Sequence, residues 1–317
     1  LCTSMERLLI TLILVCTMSN ITNAQNPFYG QYHTPHGTVP FDRIETEHYE
    51  PAILEGIKLQ NAEIEAIIQN PEKADFSNTI EAFEESGELL DKVVAVFGNM
   101  LSAETNDDLQ ELAQKIMPLL SEHSNNITLN EKLFARVKEV YNQKETLQLT
   151  QEQKQLLENA YNSFVRHGAN LEGKAREEYR RLTNELSKLT LTFSENNLKE
   201  TNAYQMLLTK KESLAGLPEI IIEAAAETAK SEEKEGWAFT LHAPSYVPFM
   251  TYSDNRDLRQ KLYMAYNTKC THDNEFNNID IVKNIANTRM KIAQLLGYKD
   301  YAEYTLKKRM AENSDAV

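Results

Sequence analysis

Residues 77–103 read SNTIEAFEESGELLDKVVAVFGNMLSA. Ile80, Phe83, Leu90, Val94, Phe97 and Leu101 recur there at three- and four-residue steps. At that spacing side chains return to one face of an α-helix, so the stretch predicts an amphipathic helix with its stripe against a partner. Ser77 or Asn78 is the expected N-cap. Gly87 lies on the same stripe, and a glycine costs about 1 kcal/mol against alanine in a helix interior, so a close approach of the partner helix is expected there.

The same period extends in both directions. Pro51, Ala52, Leu54, Ile57, Ala62, Ile64 and Ile67 predict a helix from an N-cap at Thr46 to about Ile68, stopped by Asn70-Pro71. Further helices are expected at about 107–122, 130–142, 150–167 and 173–201, the last with Leu182, Leu186, Leu189 and Phe193 on its apolar stripe. The pattern then changes. Ala203–Thr209 alternates, with Tyr204, Met206 and Leu208 on one face, and Trp237–Leu241 alternates with Trp237, Phe239 and Leu241 on one face. These predict two strands able to pair as a small ribbon. A short helix is expected to open at Leu217-Pro218-Glu219, and the charged run 229–235 reads as a solvated loop. Helices resume at about 254–269, 278–296 and 299–309. The expected class is therefore mainly α with a small two-stranded β element near 203–209 and 237–241.

Composition agrees. Only 10 Gly and 9 Pro punctuate 317 residues, too few for a turn-rich all-β chain. With 41% hydrophobic residues the chain can bury a large core, as one large domain or two ordinary ones. Its 47 acidic against 33 basic residues give a net charge of −14, which repels phosphate backbones and disfavours general nucleic-acid binding.

The first segment reads as an export leader. Met5-Glu6-Arg7 precedes the apolar run Leu8–Val15, and Thr22-Asn23-Ala24 supplies the small residue at a cleavage site. Cleavage is expected between Ala24 and Gln25, leaving an exported protein of the periplasm or cell envelope. The run is too short for a stable membrane anchor, and no later run approaches one. Cys16 would take a lipid only behind a small residue, and Val15 is bulky. Without the leader only Cys270 remains, which rules out an internal disulfide framework. The resulting organisation is a leader at 1–24, an extended arm at 25–45 pinned by Phe28, Tyr29, Val39 and Phe41, a helical wall at 46–202, and a mixed region with the ribbon at 203–317. The chain starts on Leu1, and Asn313-Ser314-Asp315 reads as an N-cap cluster opening a new element at Ala316-Val317. Both ends thus read as cut.

Chemistry is harder to find. A helical zinc site needs two imidazoles four residues apart with a glutamate beside the first, and none of the seven histidines has such a partner. His33 and His36 stand three apart in the proline-rich arm, where solvation is the plainer reading. Cys270 and His272 lie together, but at a helix end whose dipole disfavours a thiolate. His242, Tyr246 and Tyr252 sit in a proline- and aromatic-rich turn after the second strand, and are the candidates for touching a ligand. Tyr298, Tyr301 and Tyr304 make one helical face, read as the edge of a core. No catalytic and no metal-binding residue is assigned.

Several segments resemble one family. Leu129-Asn-Glu-Lys-Leu-Phe-Ala-Arg136, Phe164-Val-Arg-His-Gly-Ala-Asn170, Glu185-Leu-Ser-Lys-Leu189, Trp237-Ala-Phe-Thr-Leu-His-Ala-Pro-Ser-Tyr-Val-Pro-Phe249, Ala293-Gln-Leu-Leu-Gly-Tyr298 and Tyr301-Ala-Glu-Tyr-Thr-Leu306 are similar, in order, to the amino-terminal half of bacterial peptidyl-dipeptidases of the thimet oligopeptidase family. The resemblance covers about residues 26–317. It implies the helical half of a zincin-like ellipsoid split by a channel that admits oligopeptides. One zinc ion is implied, held by an H-E-x-x-H helix and a later glutamate in the missing carboxy-terminal half, which would be this chain's chief partner. Dipeptides would be released from free carboxyl ends. That zinc helix is absent from this sequence, so the chain alone is expected to be inactive. The alternative reading is a non-catalytic helical protein of the envelope that holds peptides or serves as a scaffold.

Overall fold

A computed structural model describes residues 26–317. The leader, with Ala24 and Gln25, lies outside the described residues. The chain packs as two units, up to Asn184 and from Glu185. That boundary falls inside a long helix, where the sequence reading put the change of character at its end, 202/203.

In the first unit the arm carries two 3-10 turns, Pro35–Gly37 and Phe41–Arg43. Its anchor is Phe28, wholly buried, whose ring lies 5.3 Å from Tyr49, itself 5.2 Å from Phe97. Lys92 Nζ donates to the carbonyls of Phe28 (3.1 Å) and Gly30 (2.7 Å) and sits 4.0 Å from the centre of the Tyr32 ring. Phe41, an expected anchor, is instead 51% exposed at the start of the second 3-10 turn, none of whose residues is buried.

Helix α1 (Thr46–Gln69) is capped by Glu45 and not by Thr46. The His48 N–H donates to the Glu45 carbonyl at 3.0 Å, and His48 Nδ1 accepts from Glu45 N at 2.9 Å. The 77–103 stretch is not one helix. A π-helical turn, Phe76–Glu81, capped by Asp75, leads into the three-residue α2 (Ala82–Glu84). The chain then turns at Gly87 (φ 88°) into α3 (Glu88–Ala103). Gly87 is thus the left-handed residue that separates two helical pieces, and its amide donates to Glu63 Oε2 at 2.8 Å. The close approach expected there occurs at Gly56 of α1, where a Cβ would stand 2.9 Å from Leu90 Cα.

Helix α4 (Asp107–Thr128) runs six residues beyond its expected end. The turns from Ser121 to Asn125 face inward with polar side chains. Ser121 donates to Asn184 Oδ1 (2.8 Å), Asn125 Nδ2 to Thr183 Oγ1 (2.9 Å), and Asn184 Nδ2 to Glu122 Oε2 (2.8 Å). Buried hydrogen-bonded groups replace apolar ones, so the hydrophobic period vanishes while the helix continues. Two more helices, α5 (Glu131–Asn142) and α6 (Gln151–Arg166), close a core built on Ile80, Leu133, Val137, Leu157 and Phe164. Helix α7 (Gly173–Ala203) spans the boundary between the units.

His123, in the polar stretch of α4, is 6% exposed and shares a 2.7 Å hydrogen bond with Gln60 Oε1. Burial lowers its pKa. Unfolding then releases an imidazole that binds a proton more readily, so its contribution is complete above its ordinary pKa of about 6.5 and is lost below it, as pH falls through the lowered folded-state pKa. The urea midpoint should accordingly fall between pH 7 and pH 5.5. His123→Gln should flatten that slope, and an equal slope in both proteins would refute the assignment.

In the second unit, β1 (Gln205–Leu208) and β2 (Trp237–Thr240) pair antiparallel, with Met206 opposite Phe239 and Leu208 opposite Trp237. The expected ribbon and its inward face are both present. Helix α8 (Glu219–Ser231) packs on β2 and runs into the stretch read as a charged loop, which begins only after Ser231. Then come α9 (Ala243–Tyr252), α10 (Arg256–Asn267), α11 (Ile279–Leu295) and α12 (Tyr301–Leu306). Met206, Phe239, Leu241, Phe249 and Leu262 form this unit's core. The final residues make a 3-10 turn, Ser314–Ala316, capped by Asn313. No helix of the described residues is long and apolar enough to cross a membrane.

Candidate functional site

The turn expected to carry His242, Tyr246 and Tyr252 is the helix α9, with His242 as its N-cap residue. Pro244 falls in its first turn, where a backbone N–H has no helical acceptor to lose. Pro248 sits one turn further in and forfeits one backbone bond. What holds the helix is Phe249, wholly buried, whose ring meets Phe239 of β2 edge-on at 4.6 Å. A proline-rich run therefore folds as a helix because one aromatic residue is drawn into the ribbon's core.

His242 and Tyr246 come together one turn apart at the start of α9, while Tyr252 ends the helix, six residues from Tyr246 and off its face. His242 is exposed with both ring nitrogens engaged, Nδ1 with Thr240 Oγ1 (3.1 Å) and Nε2 with Asn202 Oδ1 (3.0 Å). Tyr246 stacks on Tyr266 of α10 at 4.1 Å, and burial raises its pKa. Tyr252 is 52% exposed. His242 and Tyr246 thus share the start of the helix, Tyr252 stands apart at its end, and the three do not form one surface.

A second cluster gathers residues far apart in sequence. Glu200, near the end of α7, receives the loop between α10 and α11. Its Oε2 accepts from the backbone N–H of Cys270, and its Oε1 pairs with His272 Nδ1 at 2.8 Å. Two further contacts continue along the same face of α7. Asn278 Nδ2 donates to the Phe193 carbonyl at 3.0 Å, and Asn196 Nδ2 donates to Asn278 Oδ1 at 2.9 Å. Positions 193, 196 and 200 recur at three and four residues, so a polar clasp occupies a helical face that would otherwise be apolar. The clasp holds Cys270 in left-handed backbone, φ 57°.

Burial tends to raise the Glu200 carboxyl, but hydrogen bonds from the Cys270 amide, His272 and the Cys270 thiol outweigh it and hold its pKa below the usual carboxylate value. The thiol goes the other way. Burial, then its bond to Glu200, push Cys270 up to about 11. A thiol so protonated is a poor nucleophile and metal ligand at neutral pH, which makes Cys270 a packed donor. Glu200→Gln removes the charge that strengthens three hydrogen bonds, and should cost about 1–3 kcal/mol. Amide exchange at Cys270 and Asn278 should speed up accordingly; unchanged exchange would count against the clasp. Nothing near Glu200 in the sequence signals this role, because its partners lie about seventy positions away.

The remaining candidates are dispersed. His33 and His36 are exposed in the arm. Tyr298, Tyr301 and Tyr304 are half-buried and pack on one another at 5.2 and 5.7 Å, with the Arg289 guanidinium 5.3 Å from the Tyr301 ring, so they stabilise the α11–α12 corner. Among the described residues no three His, Cys, Asp or Glu side chains come together as a metal site.

Two helical units, one of them carrying a short antiparallel ribbon, make the chain mainly helical. Residues 249–317 match the model of peptidase family M3, and most of the chain is similar to bacterial dipeptidyl carboxypeptidase and oligopeptidase A. It is 35% identical over 293 residues to dipeptidyl carboxypeptidase of Escherichia coli (strain K12), covering 92% of this chain and 43% of that protein. To oligopeptidase A of Salmonella typhimurium it is 30% identical over 296 residues, again 92% of this chain and 43% of the relative. To the probable cytosolic oligopeptidase A of Arabidopsis thaliana it is 28% identical over 303 residues, covering 92% of this chain and 42% of the relative. The chain thus spans less than half the length of these relatives.

Proposed function

We propose that the chain is a structural wall of an oligopeptide-hydrolysing zinc metallopeptidase, of the kind that releases dipeptides from free carboxyl ends, and that it works outside the cytoplasm. The single observation that carries the reading is the 35% identity to a dipeptidyl carboxypeptidase across 92% of the chain. The described residues do not fit the metal, since they bring no three candidate donors together. On this reading metal binding and peptide-bond cleavage are the work of other polypeptide, and no step of the reaction is assigned to a residue here. The part left to this chain is shape. The aromatic residues of α9 are the surface this reading assigns to contact with an extended peptide, since apolar walls with a few polar groups hold ligands generally. Export is supported by the run Leu8–Val15 and the small residues before Gln25.

The test is hydrolysis of an N-acylated pentapeptide by the product of the complete gene. Release of the carboxy-terminal dipeptide, abolished by a chelator and restored by zinc, is expected. Release of single residues, or cleavage that survives chelation, overturns the reading. The 317-residue chain alone should hydrolyse nothing with or without zinc. Amino-terminal sequencing of the secreted product should begin at Gln25.

A further inference from the structure

Helix α11 is apolar on two faces, and only one of them is covered. Ile285, Thr288 and Ile292 recur at three and four residues and are all buried in the second unit. A second set, Ile279, Val282, Ala286 and Met290, has the same spacing on the adjoining face and is entirely exposed, with Ile279, Val282 and Met290 at 43%, 49% and 48%. The polar residues Asp280, Asn284, Asn287 and Lys291 gather on what remains of the circumference, also exposed. A helix at the edge of a soluble fold carries one apolar stripe and is polar elsewhere; a helix with two belongs between two layers. Single exposed apolar residues need no explanation, but a continuous stripe on one helix does.

We propose that the outer stripe of α11 is a docking face for the metal-bearing remainder of the peptidase family M3 polypeptide, a deepening that rests on the function proposed above. Two observations select that occupant. The helix lies inside the 249–317 match to the family, so it is part of what the family shares. The relatives also hold more than half their length outside the region they share with this chain, enough to supply a second layer. A second copy of this chain is disfavoured by a net charge of −14, which opposes self-association. The polar clasp on α7 fits this arrangement. Asn278, the N-cap residue of α11, is tied by side-chain hydrogen bonds to α7, so the helix is oriented before its outer face is covered.

The test labels Met290→Cys and Val282→Cys with a maleimide, in a Cys2→Ser/Cys16→Ser background. Cys270, buried and with its thiol pushed up to about 11, contributes little label. Two proteins are compared, the 317-residue chain and the product of the complete gene. Rapid labelling of the monomeric short chain, with labelling slowed by roughly tenfold or more in the complete product, is the expected result. Equal rapid labelling in both overturns the docking face while leaving the function standing, because peptide hydrolysis is assayed separately. Protection already present in the short chain, with the mass of a dimer, overturns it in favour of a second copy. A complete product no longer than this chain, labelling rapidly, overturns both.

Discussion

Phe164→Ala should lower the unfolding free energy of the first unit by about 3–5 kcal/mol, the cost of removing a buried aromatic ring and leaving its cavity. Phe164 is 1% exposed and is the hub of a run of rings. It lies 5.3 Å from Phe83 and 5.8 Å from Phe134; Phe134 continues to Tyr161 at 5.9 Å, and Tyr161 stacks on Tyr141 at 3.8 Å. The run joins α2, α5 and α6, so a hole at its centre is bordered by elements that cannot all move inward at once. The outer end is held independently by the 2.6 Å ion pair of Lys144 and Glu158, which limits collapse from that side. Aromatic contacts beyond simple burial add about 0.5–1.5 kcal/mol for each pair lost. Phe164→Leu, which keeps most of the volume, should cost clearly less. Urea denaturation followed by far-ultraviolet circular dichroism reads both. An alanine variant with the parent's midpoint would mean that this cluster is not the unit's core.

The second large effect is expected at Gly56. An added Cβ would stand 2.9 Å from Leu90 Cα and 3.0 Å from Leu90 N and Cβ. These atoms are mainly backbone of α3, so relief requires the two helices to separate. Alanine gains about 1 kcal/mol in helix propensity over glycine, while overpacking a tight contact costs about 1–3 kcal/mol. The steric term should prevail for Gly56→Ala, and Gly56→Val should be worse by a further clash and a β-branch. Gly87→Ala acts differently. Its φ of 88° is left-handed, and its Cβ would meet the side chain of Gln60, which can move only by giving up its hydrogen bonds to His123 and to the Ser86 carbonyl. That substitution should cost the backbone strain, about 1–2 kcal/mol, plus about 0.5–1.5 kcal/mol for each hydrogen bond lost. Thermal unfolding of the three variants ranks them, and a stabilised Gly56→Ala would refute the close approach.

These two glycines show how far the sequence could be read. The stripe from Ile80 to Leu101 announced a helix against a partner, and a partner is there. It could not distinguish a glycine that admits a neighbouring helix from one that breaks its own, since both fall on an apolar face. Gly87 drew attention for its place on the stripe, but its role is set by φ, which periodicity does not report. The polar end of α4 was missed for a related reason. Ser121, Asn125 and His123 point inward, and a hydrophobic period cannot register a face made of hydrogen-bonding groups. Likewise α9 read as a turn because Pro244 and Pro248 are breakers in general, whereas burial of Phe249 outweighs one lost backbone bond.

The candidate site divides the same way. His242 and Tyr246 were visible from their neighbourhood in sequence and do share the start of one helix; Tyr252, counted with them, lies at its other end. Glu200 was not visible at all.

The local order of residues thus determined by itself that this chain is mainly helical, where most helices run, and that two strands pair with Met206 and Phe239 inward. Those properties follow from local period and composition, which are written along the chain; the family resemblance rests instead on specific segments between Leu129 and Leu306. Only the tertiary structure decided which glycine lies between helices, that Glu200 clasps the Cys270 turn, and that α11 has one apolar face covered and one bare. Each of those depends on groups brought together from distant positions, and the free energy of such contacts comes from burial and geometry that a linear pattern does not contain.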